Sequence, residues 1–135
     1  MKSFYIFLFA LICSSCDSHF EKLEGIDFKV GWVNMPELTT IYYSSSINGM
    51  GEGVLPHRIT DIYWNDSYIL AKQCEMYSDS IIGYYIVKIL PCQPIGVPYR
   101  RIGPMLENEY VQLKQKLNLD EREMKHINIF NWSFL

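Results

Sequence analysis

Three aromatic doublets, Tyr42-Tyr43, Tyr63-Trp64 and Tyr84-Tyr85, are the residues whose type and spacing point most directly to recognition chemistry. Neighbours along a β-strand point to opposite faces, so a doublet on a strand sends one ring into the core and the other out. If the three strands lie side by side, Tyr43, Trp64 and Tyr85 make an outward platform. Aromatic rings serve binding because they bury a large area at low entropic cost. The alternative is a sheet covered on both faces, with all six rings in the core. Arg100 and Arg101 are a second candidate. Just before an expected helix, they and the free amides of its first turn could hold an anion; the alternative is a solvated pair.

Catalytic patterns are absent from the chain. His19, His57 and His126 fall in a tether, a loop and near the terminus, and none belongs to an HExxH or other metal-ligand spacing. There is no G-x-S-x-G elbow. Asp61, Asp66 and Asp79 fall at strand ends or turns, where solvated or turn-capping roles are the default. The glycine-rich stretch from Ser44 to Gly53 lacks the Gly-Lys-Ser/Thr ending of a phosphate loop and no helix follows it, so it reads as a loop between strands. No catalytic residue, metal ligand or cofactor is assigned, and the chain is read as a non-enzyme.

The most specific chemistry lies near the N-terminus. Phe4 to Ile12 is one apolar run preceded by Lys2. At nine residues it is too short to cross a bilayer as a helix, which needs roughly 20, so it reads as the h-region of a signal peptide. An uncleaved anchor or a buried N-terminal strand is the alternative. Leu11-Ile12-Cys13-Ser14-Ser15-Cys16 resembles the lipobox of bacterial lipoproteins: Ser14, Ser15 and Cys16 match, while Cys13 stands where leucine is usual. Acylation at Cys13 instead would put Ile12 where a small residue belongs. The resemblance implies cleavage after residue 15 and a diacylglyceryl thioether plus an amide-linked acyl chain on Cys16. Each buried methylene contributes about 0.8 kcal/mol, and two or more chains anchor a protein stably. Removing residues 1–15 takes away only Lys2, leaving 11 basic against 15 acidic residues and a net charge near −4. That balance argues against nucleic acid as a partner and supplies no polybasic patch for anionic lipid.

Export would place Cys74 and Cys92 where a disulfide is possible. In a hairpin turning at Tyr77-Ser78-Asp79-Ser80, Cys74 faces roughly Gly83 or Tyr84. Cys92 is then up to about 27–30 Å along the strand, beyond the roughly 7 Å limit for bridged Cα atoms. Cys74 therefore reads as a small core residue, unless the loop from Pro91 to Pro98 returns sharply.

The elements that must position these side chains follow from periodicity. Residues 16–25 read as a polar lipidated tether and residues 26–135 as one α+β domain. Ile26, Phe28, Val30 and Trp32 alternate with Asp27, Lys29 and Gly31, the pattern of a half-buried strand. Further strands are expected over 38–43, 59–65, 68–74 and 81–90. The last is apolar on both faces and therefore interior. Pro91 to Pro104 reads as an irregular surface passage. Leu106, Tyr110, Leu113 and Leu117 form one helical stripe, with Pro104 in the first turn, acids near the start and lysines near the end. Residues 126–134 alternate again and could add an edge strand. The expected fold is α+β: a mostly antiparallel sheet of five to six strands with one amphipathic helix on one face.

Three stretches resemble one family: Ile62 to Ala71 with its Asn65-Asp66 turn, Tyr84-Tyr85-Ile86-Val87, and Ile102-Gly103-Pro104-Met105 leading to Glu109-Tyr110. They resemble, over roughly residues 59–119, small bacterial lipoproteins grouped as domain of unknown function 3997. The resemblance implies the fold and the compartment, and no activity. The expectation is a binding or interaction module of the cell envelope, held to a membrane through Cys16 and taking a protein or glycan ligand. An immunity-type inhibitor of a toxin is one alternative. An envelope enzyme with a site assembled from scattered residues is another.

Overall fold

The computed structural model describes residues 18–44, 53–91 and 97–129; Cys13, Cys16 and Cys92 lie outside these. In chain order the elements are β1 (Ser18–Lys22), β2 (Phe28–Val33), β3 (Thr40–Tyr43), β4 (Ile59–Trp64), β5 (Tyr68–Cys74), β6 (Ile81–Ile89), β7 (Tyr99–Met105), helix α1 (Glu107–Lys116) and β8 (Lys125–Asn128). Short 3₁₀ turns span Pro36–Leu38 and Glu121–Glu123. The fold is α+β, as the periodicities imply, and every strand pairing is antiparallel. The strands divide between two sheets, in the orders β1-β2-β3 and β7-β6-β5-β4-β8.

Alternation explains the layering. Phe28, Val30 and Ile41 of the small sheet meet Ile62, Trp64, Ile69, Ala71, Tyr85 and Val87 of the large sheet in one core. The intervening residues Leu70 and Ile86 point the other way and pack with Met105 and Tyr110 under the helix. The large sheet is therefore sandwiched, which is why its inner strands carry apolar residues on both faces. β6 lies between β5 and β7, as its two-sided apolar run requires.

Three local readings are corrected. Residues 18–22, read as tether, form β1 at the edge of the small sheet, with Ser18 opposite Val33 and Lys22 opposite Lys29; their composition is polar because an edge strand stays largely exposed. The passage through Arg100, Arg101 and Pro104 is strand β7, not irregular chain, and Pro104 precedes the helix rather than opening it. β7 is an edge strand, where a residue without an N–H is tolerated. In the β5–β6 hairpin a bulge between Gln73 and Cys74 pairs Cys74 with Ile81 and Gln73 with Gly83. Cys74 is buried, with Sγ 3.4 Å from the Thr60 hydroxyl.

A single helix cannot cover the large sheet. Five strands at about 4.8 Å spacing are roughly twice as wide as the ~10 Å diameter of a helix. α1 packs against β6, and the sheet's other half, toward β4 and β8, keeps an open flank beside it.

Candidate functional site

That flank is a cleft of about 210 Å³, whose lining includes Asp61, Tyr63, Lys72, Tyr84, Glu107 and Lys114. Lys72 on β5 occupies its centre because the register sets it opposite Asp61 of β4 and Tyr84 of β6. Tyr84 stacks on Tyr110 of the helix with ring centroids 4.6 Å apart and planes 14° from parallel. Tyr63 stacks on His126 of β8 at 4.1 Å and 12°, since those two residues are direct cross-strand partners. One face of each lining phenol is therefore already covered. What the cleft offers a ligand is mainly hydroxyls, ring edges and charged ends.

Two of the carboxylates, Glu121 and Asp61, are each held by a partner. Glu121 accepts from the Lys114 ammonium at 2.6 Å and from the Tyr110 hydroxyl at 3.0 Å. The same ammonium sits 4.4 Å from the Tyr110 ring centroid. Asp61 and His126 are joined through Oδ1 and Nε2 at 2.5 Å. Burial raises the pKa of the Tyr63, Tyr84 and Tyr110 phenols above its ordinary value, and the negative charge of Asp61, Glu107 and Glu121 adds to the shift. All three hydroxyls therefore stay neutral donors at physiological pH. The cleft combines donors from phenols and lysines with carboxylate acceptors, and among the described residues its lining has no serine, threonine or cysteine. Among the described residues no group of three or more His, Cys, Asp or Glu side chains is placed to hold a metal ion.

Tyr110 carries a test of this packing. A phenol whose pKa is raised by folding gives stability that is complete below about pH 10 and lost as pH rises beyond it. Unfolding free energy should therefore fall above pH 10, by up to about 1.4 kcal/mol per pH unit for the buried Tyr110. Tyr110→Phe should flatten that decline and cost about 1 kcal/mol at pH 7 through the lost bond to Glu121. Urea melts at pH 7, 10 and 11 measure both, and an unchanged alkaline slope would refute the assignment.

The side chains singled out from sequence lie elsewhere. Tyr43 is half-buried against Phe28, with centroids 5.4 Å apart, on the side facing the large sheet. Trp64 is buried and its Nε1–H donates to the Glu24 carbonyl at 2.9 Å. Tyr85 is buried and its hydroxyl donates to the Gln73 side chain at 3.2 Å. The platform of Tyr43, Trp64 and Tyr85 is thus not formed, because the small sheet covers that face. The doublets do split between faces, but the ring sent away from the shared core is Tyr42, Tyr63 or Tyr84. Tyr42 lies on the outer side of the small sheet against Phe20, 5.6 Å away, so only Tyr63 and Tyr84 share a surface. Arg100 and Arg101 are exposed on β7 opposite Lys88 and Val87. They stand on a strand well before Glu107, so the expected anion site at the helix start is also corrected. Cys16 lies outside the described residues.

Lys72, Glu107, Lys114, Glu121 and His126 were not singled out as site residues from the sequence. Only His126 carried a signal, as a histidine in an alternating segment. Its meeting with Asp61 depends on β8 pairing with β4, which local pattern does not encode.

The model of the family described as "Protein of unknown function (DUF3997)" matches residues 27–128, and the chain belongs to that family. The matched span contains every described residue of the cleft. No curated protein and no solved structure matches the chain.

Proposed function

We propose that this member of an uncharacterised family is a lipid-anchored binding module of the bacterial envelope, seating its ligand in the cleft between α1 and β4–β5. The observation that carries the binding reading is the convergence of Tyr63, Lys72, Tyr84 and Glu107 on one open cavity of about 210 Å³. Small-molecule pockets usually span about 300–1,000 Å³, so this cleft seats one sugar ring or one peptide side chain of a larger glycan or protein. Its mixed donors and acceptors favour a polar group over an apolar one. A toxin neutralised by the domain would be one such protein ligand. The anchor reading rests on Ser14-Ser15-Cys16 and the apolar run before it.

Two measurements test the two halves separately. Mass spectrometry of membrane fractions should find acyl chains on Cys16 of the wild type and a soluble, unmodified Cys16→Ser variant; a soluble, unlipidated wild type would end the anchor reading. NMR titration with peptidoglycan fragments and with neutral oligosaccharides should shift Tyr63, Lys72, Tyr84 and Glu107 together, and Lys72→Glu should abolish the response. Shifts confined to another surface would end the cleft reading.

The Asp61–His126 pair supports a second reading as an envelope enzyme, since a carboxylate-held imidazole is the usual form of a positioned general base. His126→Gln separates the two: it abolishes turnover in an enzyme and leaves affinity nearly intact in a binding module.

A further inference from the structure

We propose that one end of the domain lies against the membrane and inserts its exposed apolar side chains into the lipid interface; this rests on the reading that Cys16 is lipidated. The large apolar residues exposed among those described are Met35 at 39%, Tyr77 at 83%, Ile81 at 51%, Ile82 at 49%, Val97 at 60%, Leu106 at 67% and Val111 at 39%. Single exposed apolar residues are ordinary on a protein surface. Their distribution here is not scattered.

Antiparallel pairing collects five of the seven at one end. Met35 leads into the turn between β2 and β3. Tyr77 lies in the turn between β5 and β6, and Ile81 and Ile82 open β6. Leu106 follows the last residue of β7, which pairs with Tyr84 near the start of β6. The turns of the two sheets meet at this end, because Pro36 and Glu37 line one cavity together with Met76, Tyr77 and Asp79. The opposite end carries the polar turn Asn65-Asp66-Ser67, together with Lys88 and Lys125, and only Val97 of the exposed apolar set.

The chain leaves toward Cys16 from the apolar end. Ser18 pairs with Val33, two positions before Met35. Only Asp17 separates Ser18 from Cys16, and two peptide steps span at most about 7 Å. A lipid on Cys16 therefore holds this end at the headgroups, with no tether long enough for the domain to stand off. Interfacial apolar side chains reach roughly 5–10 Å into the headgroup boundary. Tyrosine at the polar level, with isoleucine, leucine and methionine beyond it, matches the layering of that zone. A bilayer is therefore the occupant this patch meets first. The same end carries Glu37, Glu75, Asp79 and Glu107 against Arg58, so attraction comes from apolar insertion and anionic lipid weakens it. The cleft is left on the flank of the domain, beside the helix.

The test uses the full lipidated protein in vesicles of phosphatidylcholine containing a photo-activatable phosphatidylcholine, with adducts mapped by mass spectrometry. Adducts should concentrate on Tyr77, Ile81, Ile82 and Leu106 and be absent from Asn65–Ser67 and Val97. Tyr77→Ser alone should reduce them, and the triple variant Tyr77→Ser, Ile81→Ser, Ile82→Ser should lose them while keeping the lipid on Cys16. Replacing part of the phosphatidylcholine by phosphatidylglycerol should lower the yield; a rise would overturn the apolar basis. Acylated Cys16 with adducts spread evenly, or none, overturns this inference and leaves the anchor standing. Protein–protein cross-links through Tyr77 overturn it in favour of a second copy as occupant. An unmodified Cys16 overturns both together.

Discussion

Phe28→Ala is expected to lower the unfolding free energy by about 3–5 kcal/mol, the range for a fully buried phenylalanine cut back to alanine. Phe28 is 1% exposed and starts β2, so its ring hangs from the small sheet into the shared core. It meets Tyr43 of the same sheet edge-on at 5.4 Å and Tyr99 of the large sheet at 6.1 Å. Truncation removes contacts to both layers at once. Neither sheet can close the gap without sliding across the other, so most of the cavity persists and the cost stays near the upper part of the range. Urea denaturation followed by circular dichroism measures it. A loss below about 1 kcal/mol would mean that the two sheets do not share one packed interior.

Gly31→Ala is expected to strip β1 from β2 while leaving the large sheet folded. A Cβ on Gly31 would lie 2.1 Å from the His19 carbonyl oxygen, 2.4 Å from a Phe20 ring carbon and 2.9 Å from the Phe20 Cα. Two of those three atoms belong to the β1 backbone, so no rotamer change relieves the clash. The strand must move, and Phe20 is the cross-strand partner of Gly31 itself. Overpacking of this kind typically costs about 1–3 kcal/mol. Among the described residues β1 is hydrogen-bonded to β2 alone, so the damage stays local. Hydrogen exchange should accelerate across residues 18–22 and remain slow in β5 and β6; protection of β1 unchanged from wild type would refute the argument. The same substitution bears on the proposed membrane contact. Freeing β1 lengthens the link between Cys16 and the domain from two residues to about seven, which allows stand-off of roughly 20–25 Å. Lipid adducts on Tyr77 should then fall although the apolar patch is intact.

Both expectations depend on features with different visibility in the sequence. The inward position of Phe28 follows from its alternation with Asp27 and Lys29, and Phe28 is indeed buried. The role of Gly31 does not. A glycine in an alternating run signals a weak point or a close approach, but which backbone approaches is a tertiary fact. β1 itself was hidden because Ser18 to Lys22 are mostly polar, as an exposed edge strand allows.

The cleft divides in the same way. Tyr63 and Tyr84 were visible as members of doublets, and the rule that each doublet splits between faces holds in the folded chain. Which member faces which layer was not visible. Alternation has two phases, and a strand buried on both sides looks alike in either. The choice depends on where the small sheet lies, and that follows from contacts between strands far apart in the chain. Lys72, Glu107 and Glu121 are ordinary surface charges in sequence, and they acquire a shared setting only when β5 and α1 are brought together.

What the sequence by itself determined is therefore everything carried by short-range period and local chemistry: the α+β class, the strands from β2 to β6, the helix stripe through Tyr110, the last edge strand and the family resemblance. The tertiary structure alone decided the division into two sheets, the pairing of β1 with β2 and of β8 with β4, the strand character of Arg100-Arg101, and the cleft. The physical reason is range. Side-chain alternation is dictated by the backbone of each segment, whereas the exposure of a ring or the neighbours of a charge depend on which distant segment covers it.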